Sequence, residues 1–185
     1  MLQQSRIRDF GVVIGDLPTG RRNAITDVEG VKVGHATLNT GDVHTGVTAV
    51  IPHDGNIFRE KLIAAVHVIN GFGKSAGLIQ VEELGTLETP ILLTNTFGVG
   101  TSINRLIQYK LARNADIGDK TGTVNPVVFE CNDSYLNDIR GMHVSGKDID
   151  AALKNAAADF PEGAVGAGTG MSCYKLKGGI GSASR

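Results

Sequence analysis

Tryptophan is absent from this chain, and aromatic residues make up only 5% of it. Single-stranded nucleic acid is held largely by stacking bases on aromatic rings, so it finds few platforms here. An excess of one charge is also missing: 18 Lys and Arg against 19 Asp and Glu leave a formal net charge of −1. That gives no electrostatic reason to expect nucleic acid or an anionic membrane as partner. Cysteine is scarce. Cys131 and Cys173 alone cannot build a disulfide framework, and they fit a reducing compartment. No apolar run approaches the ~18 residues of a membrane-spanning helix. The N-terminal string MLQQSRIRDF lacks the apolar centre of a secretion signal. The expectation is a cytoplasmic protein that binds neither membrane nor nucleic acid. The five histidines fall into no H-x-x-H or H-E-x-x-H pattern, and the cysteines form no C-x-x-C, so neither metal nor other cofactor is expected.

Glycine is what the sequence has in excess: 25 of 185 residues, seven of them between positions 163 and 181. Glycine at that density implies tight turns or backbone that approaches something closely. A phosphate cradle is one reading, and the spacing opposes it. GFGKS (71–75) carries the second half of a G-x-x-x-x-G-K-[ST] loop, but Val68 stands where the first glycine belongs. Gly166 and Gly168 begin a G-x-G-x-x-G, and Met171 ends it.

The length suits one domain over residues 1–185 with a substantial core. Between residues 11 and 35 the pattern suggests short strands separated by turns. TGVTAVIP (45–52), KLIAAVHVIN (61–70), ETPILLTN (88–95) and PVVFE (126–130) read as buried strands. A helix is expected over 75–84 behind a capping Ser75, and a longer one over 99–113, with Ile103, Leu106, Ile107 and Leu111 on one face. Lys110 and Arg113 close that second helix where its dipole favours cations. A third helix opens at Ser145, with Asp148 at capping-box spacing and Ile149, Ala152, Leu153 and Ala156 as its buried stripe. Alternating strands and helices place the fold in the α/β (α+β) class.

Two stretches carry possible chemistry. GKSAG (73–77) matches G-x-S-x-G between a strand-like and a helix-like run, so Ser75 is either an elbow nucleophile served by His143 or a plain helix cap. FECNDSYLNDIRG (129–141) concentrates polar groups behind a buried strand. It is either a site, as loops at strand ends often are, or a turn in which Asn and Asp bond their own backbone. Tyr135 could donate to an oxyanion, and Glu130 could hold a substrate ammonium.

Taken together, GFGKSAGLIQVEELGTLETPILLTNTFGVG (71–100), NDSYLNDIRG (132–141) and GAVGAGTGMSCYKLKGGIGSASR (163–185) resemble the self-processing serine aminopeptidases, a family of L-aminopeptidase/D-alanine esterase-amidases and β-peptidyl aminopeptidases. NAITDVEGVKVGH (23–35) and HTGVTAVIP (44–52) fit the same pattern. The resemblance implies a four-layer αββα sandwich shared with ornithine acetyltransferases. It further implies a precursor that cuts itself before a serine. That serine then heads a β-subunit and attacks the acyl carbon, with its own amine as base. The family serine lies beyond GGIGSASR, so these residues correspond to an α-subunit and the nucleophile would come from the partner. By the same resemblance Tyr135 is the oxyanion donor, Glu130 meets the amine of a small peptide, amide or ester substrate, and Asn132 and Asn137 shape the pocket. A homo-oligomer of αβ units is implied as well. The alternative is a catalytically inactive relative that serves as a scaffold or oligomerisation module.

Overall fold

The computed structural model describes residues 5–69 and 71–185. Its centre is a hairpin. β1 (Lys32–Thr40) and β2 (Val43–Ile51) pair antiparallel over their whole length, from Lys32 opposite Ile51 to Thr40 opposite Val43. Gly41 and Asp42 make the turn, and Gly41 has φ +58°, which suits a two-residue hairpin loop. After the short strand β3 (Leu62–Ile63), helix α1 (Leu78–Leu84) and β4 (Thr86–Leu87), the chain enters β5 (Ile91–Thr94). β5 joins β2 antiparallel. β6 (Val127–Glu130) then lies parallel to β5, giving a four-stranded sheet in the order β1-β2-β5-β6. A parallel neighbour needs a crossover, and α2 (Val99–Leu111) supplies it. α3 (Gly146–Lys154) follows β6, and a small hairpin of β7 (Ser172–Cys173) and β8 (Leu176–Lys177) comes last.

The two faces of β2 have different covers. Val47 and Ala49 point to the helical side, where they join Leu92, Leu106, Val128, Ile149 and Ala152 in the main core. Gly46 and Thr48 point the other way, onto the 3₁₀ turn Gly166–Gly168. Successive strand residues face opposite sides, so a strand covered on both sides is buried nearly throughout, as β2 is from Thr45 to Ala49. α3 lies close on β1: a Cβ at Gly34 would stand 2.1 Å from the carbonyl of Ala152. The glycine-and-alanine contact is what brings helix and sheet together.

The mixed α/β class expected from the sequence holds. The described residues make one helical layer on one four-stranded sheet, with the glycine-rich segment across the sheet's far side. α3 starts as expected: the Ser145 backbone N–H donates to the Asp148 carboxylate at 2.8 Å, and Ile149, Ala152 and Leu153 are buried.

Three expectations need correction. Residues 61–70 are not a buried strand. Only Leu62–Ile63 pair, with β4, and Ile63, Val68 and Ile69 are exposed, while Asn70 lies outside the described residues. Apolar composition alone cannot say whether a run has a neighbour to pair with. Residues 11–31 hold a 3₁₀ turn at Ile25–Asp27 and no strand. Ser75 does not cap α1. Gly77 does, at φ +84°, because the chain must first pair Ala76 with Val128 and then turn sharply.

Candidate active site

β5 and β6 run parallel, and ligands of open α/β sheets gather beyond the carboxyl ends of such strands. Thr94 and Glu130 occupy those ends here, opposite each other in register. Beyond them lies a cavity of about 310 Å³, walled by Phe129, Glu130, Cys131, Met171, Cys173 and the glycines at 178 and 179. Its lining is largely apolar, and Glu130 is its one acidic group among the described residues.

The Glu130 carboxylate is held in place. Thr96 donates its hydroxyl to Oε2 at 2.6 Å, and the backbone N–H of Lys74 donates to Oε1 at 3.1 Å. Among the described residues no cation pairs with it, so a negative charge with spare lone pairs stands at an apolar wall. An ammonium group placed there would gain a charge-assisted hydrogen bond. Thr96 owes its position to Asn95, which is buried, accepts from the Gly98 N–H at 2.7 Å and donates to Thr45 at 3.1 Å. That pair ties the start of α2 to β2.

Cys131 also touches the cavity. Packing around its thiol, helped by the carboxylates of Glu130 and Asp133, pushes its ionisation above the ordinary range. A thiol held protonated is a poor nucleophile.

The other polar residues of this loop do different things. Asn132 accepts the Ser134 N–H at 2.8 Å, which is the local turn chemistry, and it is exposed. Asn137 is buried; its Oδ1 accepts the His44 N–H at 2.9 Å and its amide donates to Asp133 at 3.1 Å. It staples the loop to the β1–β2 hairpin. Neither asparagine lines this cavity; within the described residues both hold the loop. Tyr135 stands 85% exposed at the loop's tip and makes no hydrogen bond within the described residues. Asp133 belongs to the same polar cluster. It is 1% exposed, its Oδ1 is bonded to Asn137, and its Oδ2 has no partner. Nothing in the string NDSYLND separates Asp133 from Asp138, which pairs with His143 at 3.0 Å on the surface.

Ser75 is not an elbow nucleophile in this geometry. It sits in extended chain ahead of the Ala76–Val128 bridge, and no histidine ring bonds to it, since His143 is engaged by Asp138. A larger cleft of about 460 Å³ lies between the N-terminal segment and residues 180–185, but its carboxylate, Glu162, is already held by Arg6 through two bonds at 2.7 and 3.0 Å.

The glycine-rich segment forms one wall of the cavity because it can lie flat on β2. A Cβ at Gly170 would fall 2.0 Å from the carbonyl of His44, so no larger residue fits there.

Comparison with known proteins agrees with this architecture. The family model described as peptidase family S58 matches residues 23–185. The β-peptidyl aminopeptidase BapA of Sphingosinicella microcystinivorans is 39% identical over 190 residues, covering 97% of this chain and 46% of that protein. Its counterpart from Sphingosinicella xenopeptidilytica is 38% identical with the same coverage. Among solved structures, the PH0078 protein of Pyrococcus horikoshii OT3 superposes with a TM-score of 0.96 at 56% identity, covering 98% of this chain and 54% of that one. The L-aminopeptidase D-Ala-esterase/amidase of Ochrobactrum anthropi, described as a prototype for the serine aminopeptidases with a variant of the Ntn hydrolase fold, superposes with a TM-score of 0.84 at 35% identity, covering 94% and 51%. The chain thus spans about half the length of these relatives. On the family match and on these identities, the chain belongs to peptidase family S58.

Proposed function

We propose that this chain is the substrate-amine half of a serine aminopeptidase. The observation that carries the reading is the Glu130 carboxylate, fixed by Thr96 and Lys74, paired with no cation among the described residues, and set at the wall of an apolar cavity of about 310 Å³. An aminopeptidase must recognise a free N-terminal ammonium next to a side chain. A lone carboxylate beside an apolar pocket does both. The relatives named as aminopeptidases support the reaction class.

The remaining groups follow from that reading. The attacking hydroxyl is the N-terminal serine of a second polypeptide, released by cleavage of a precursor and activated by its own amine. Tyr135, at the exposed tip of the loop behind β6, donates to the oxyanion once that second polypeptide packs against it. The substrate is a small peptide, amide or ester with a free amine, and the αβ units assemble further into an oligomer in the cytoplasm.

Intact-mass analysis of the protein as made in its own cells tests the arrangement. The expected result is this polypeptide together with a second one that begins with serine, and release of p-nitroaniline from amino-acid p-nitroanilides. A single polypeptide with no such activity overturns the reading and leaves the scaffold alternative.

A further inference from the structure

At the opposite end of the sheet from Glu130 lies a second cleft, of about 400 Å³. Ile51 at the end of β2 and Pro90 just before β5 form its floor, and the loop 53–57 and the last turns of α2 form its walls. β5 separates it from Glu130 by four residues, roughly 13 Å at the rise of an extended strand.

Lys110 lines this cleft and is only 3% exposed. A buried ammonium ordinarily has a carboxylate or several acceptors around it. Among the described residues this one has no hydrogen-bond acceptor. The nearest acidic group that it senses is Glu88, and that carboxylate is fully engaged: Lys61 holds Oε1 at 2.9 Å, and Oε2 accepts the Asn125 backbone N–H at 3.0 Å and its amide at 3.2 Å. Arg113 faces the same cleft. Its guanidinium lies 3.6 Å over the Tyr109 ring and donates once, to the Tyr109 carbonyl at 3.1 Å, which leaves most of its donors unspent. The other charged groups around the cleft are already committed. Asp54 pairs with Lys32 at 2.5 Å. His53 accepts the Gly55 N–H at 3.0 Å on Nδ1 and meets the Glu60 carbonyl at 3.0 Å through Nε2, so both its ring nitrogens are engaged. The cleft therefore presents two cations with no anionic partner among the described residues, over a floor of Ile51 and Pro90. Burial, reinforced by the neighbouring Arg113 and opposed by Glu88, brings the Lys110 ammonium down to about 8, as expected of a cation without a partner.

We propose that this cleft is a binding site for the oxyanion of a small molecule, a carboxylate or a phosphate group, held between Lys110 and Arg113 and independent of the Glu130 cavity. The Arg113 fork suits two oxygens of one group, and the Lys110 ammonium supplies the compact charge from below. Ile51 and Pro90 leave room for a short carbon chain behind it.

Calorimetric titration of the whole protein, as made in its own cells, with inorganic phosphate and, separately, with butyrate tests the site. The expected result is saturable millimolar or tighter binding of at least one of the two, weakened by about tenfold or more in both Lys110→Met and Arg113→Gln. Preference for butyrate points to a carboxylate ligand, and preference for phosphate to a phosphorylated one. Lys110→Met removes a buried charge without breaking a bond, and Arg113 is exposed, so both variants should melt cooperatively by circular dichroism. As an independent readout, the Lys110 side-chain nitrogen followed by NMR should titrate at higher pH when the anion is bound. No binding of either anion at tens of millimolar, or equal binding by the wild type and Lys110→Met, overturns the proposal.

Discussion

Glu88→Ala should loosen the parallel pair that carries the candidate site, although it lies at the far end of both strands. Glu88 stands three residues ahead of β5, and its partner Asn125 stands two residues ahead of β6. Their two hydrogen bonds, at 3.0 and 3.2 Å, clamp the entries of the strands whose exits are Thr94 and Glu130. The substitution leaves a half-buried backbone N–H and an amide without a charged acceptor, each worth about 1.5–3 kcal/mol. Lys61 is 40% exposed on its side chain, so water recovers most of its loss, and that ion pair adds less than about 1 kcal/mol. A total of about 3–7 kcal/mol lowers the melting temperature of a chain this size by about 10 °C or more. Thermal and urea melts of Glu88→Ala beside Glu88→Gln measure it, and the glutamine, which keeps an acceptor for Asn125, should lose about half as much. The pH dependence gives a second check. Burial alone would raise the Glu88 pKa, but the bonds from Lys61 and Asn125 outweigh it and the net shift is downward from 4.5. An acid depressed in the folded state stabilises above its unfolded pKa and loses that contribution as pH falls through the folded value, so the gap between wild type and Glu88→Ala should narrow in acid below 4.5. A Glu88→Ala protein that melts within about 2 °C of the wild type would refute the clamp.

Gly34→Val puts a branched side chain where a Cβ alone would lie 2.1 Å from the Ala152 carbonyl and 2.6 Å from the Ala156 nitrogen, so α3 must move off β1. The expected cost is about 2–3 kcal/mol or more in urea melts, and a variant as stable as the wild type would contradict the close packing. His35 is lowered from 6.5 by burial, against a smaller opposing effect of its bond to Pro161. Its ring nitrogens meet the Thr48 hydroxyl at 2.9 Å and the Pro161 carbonyl at 3.0 Å, a pair that a neutral ring satisfies. A histidine depressed in the folded state takes up its proton more readily when unfolded, so stability should fall as pH drops below 6.5. His35→Gln should flatten that slope in melts between neutral and mildly acidic pH, and an unchanged slope would count against the assignment.

The sequence disclosed the elements whose pattern is local. β2, β5 and β6 announce themselves as β-branched runs bounded by turn residues, and α2 and α3 by their spacing and, for α3, by Ser145 and Asp148. It misled where an apolar run has no partner strand, as at Ile63, Val68 and Ile69, which are exposed. Lys110 shows the same limit from the other side. Position at a helix end suggests a solvated cation, yet the loop 53–57 and Pro90 close over that end and bury it. In the candidate site, Glu130 was legible as the last residue of a buried strand. The roles of Asn137 and Asp133 were not, because they depend on His44 and Gly170, which lie far away in sequence.

The central claim is that Glu130 receives the amine of the substrate, and the most direct measurement is steady-state hydrolysis of an amino-acid p-nitroanilide by the whole protein, as made in its own cells, with Glu130→Gln. The variant's amide oxygen still accepts the Lys74 N–H, and its NH2 can donate to the Thr96 hydroxyl, so the loop should stay in place while the charge is lost. The expected outcome is a fall in kcat/KM of about 100-fold, equivalent to the loss of one charge-assisted contact of about 2.7 kcal/mol. Undiminished kcat/KM in a correctly folded Glu130→Gln protein would contradict the account.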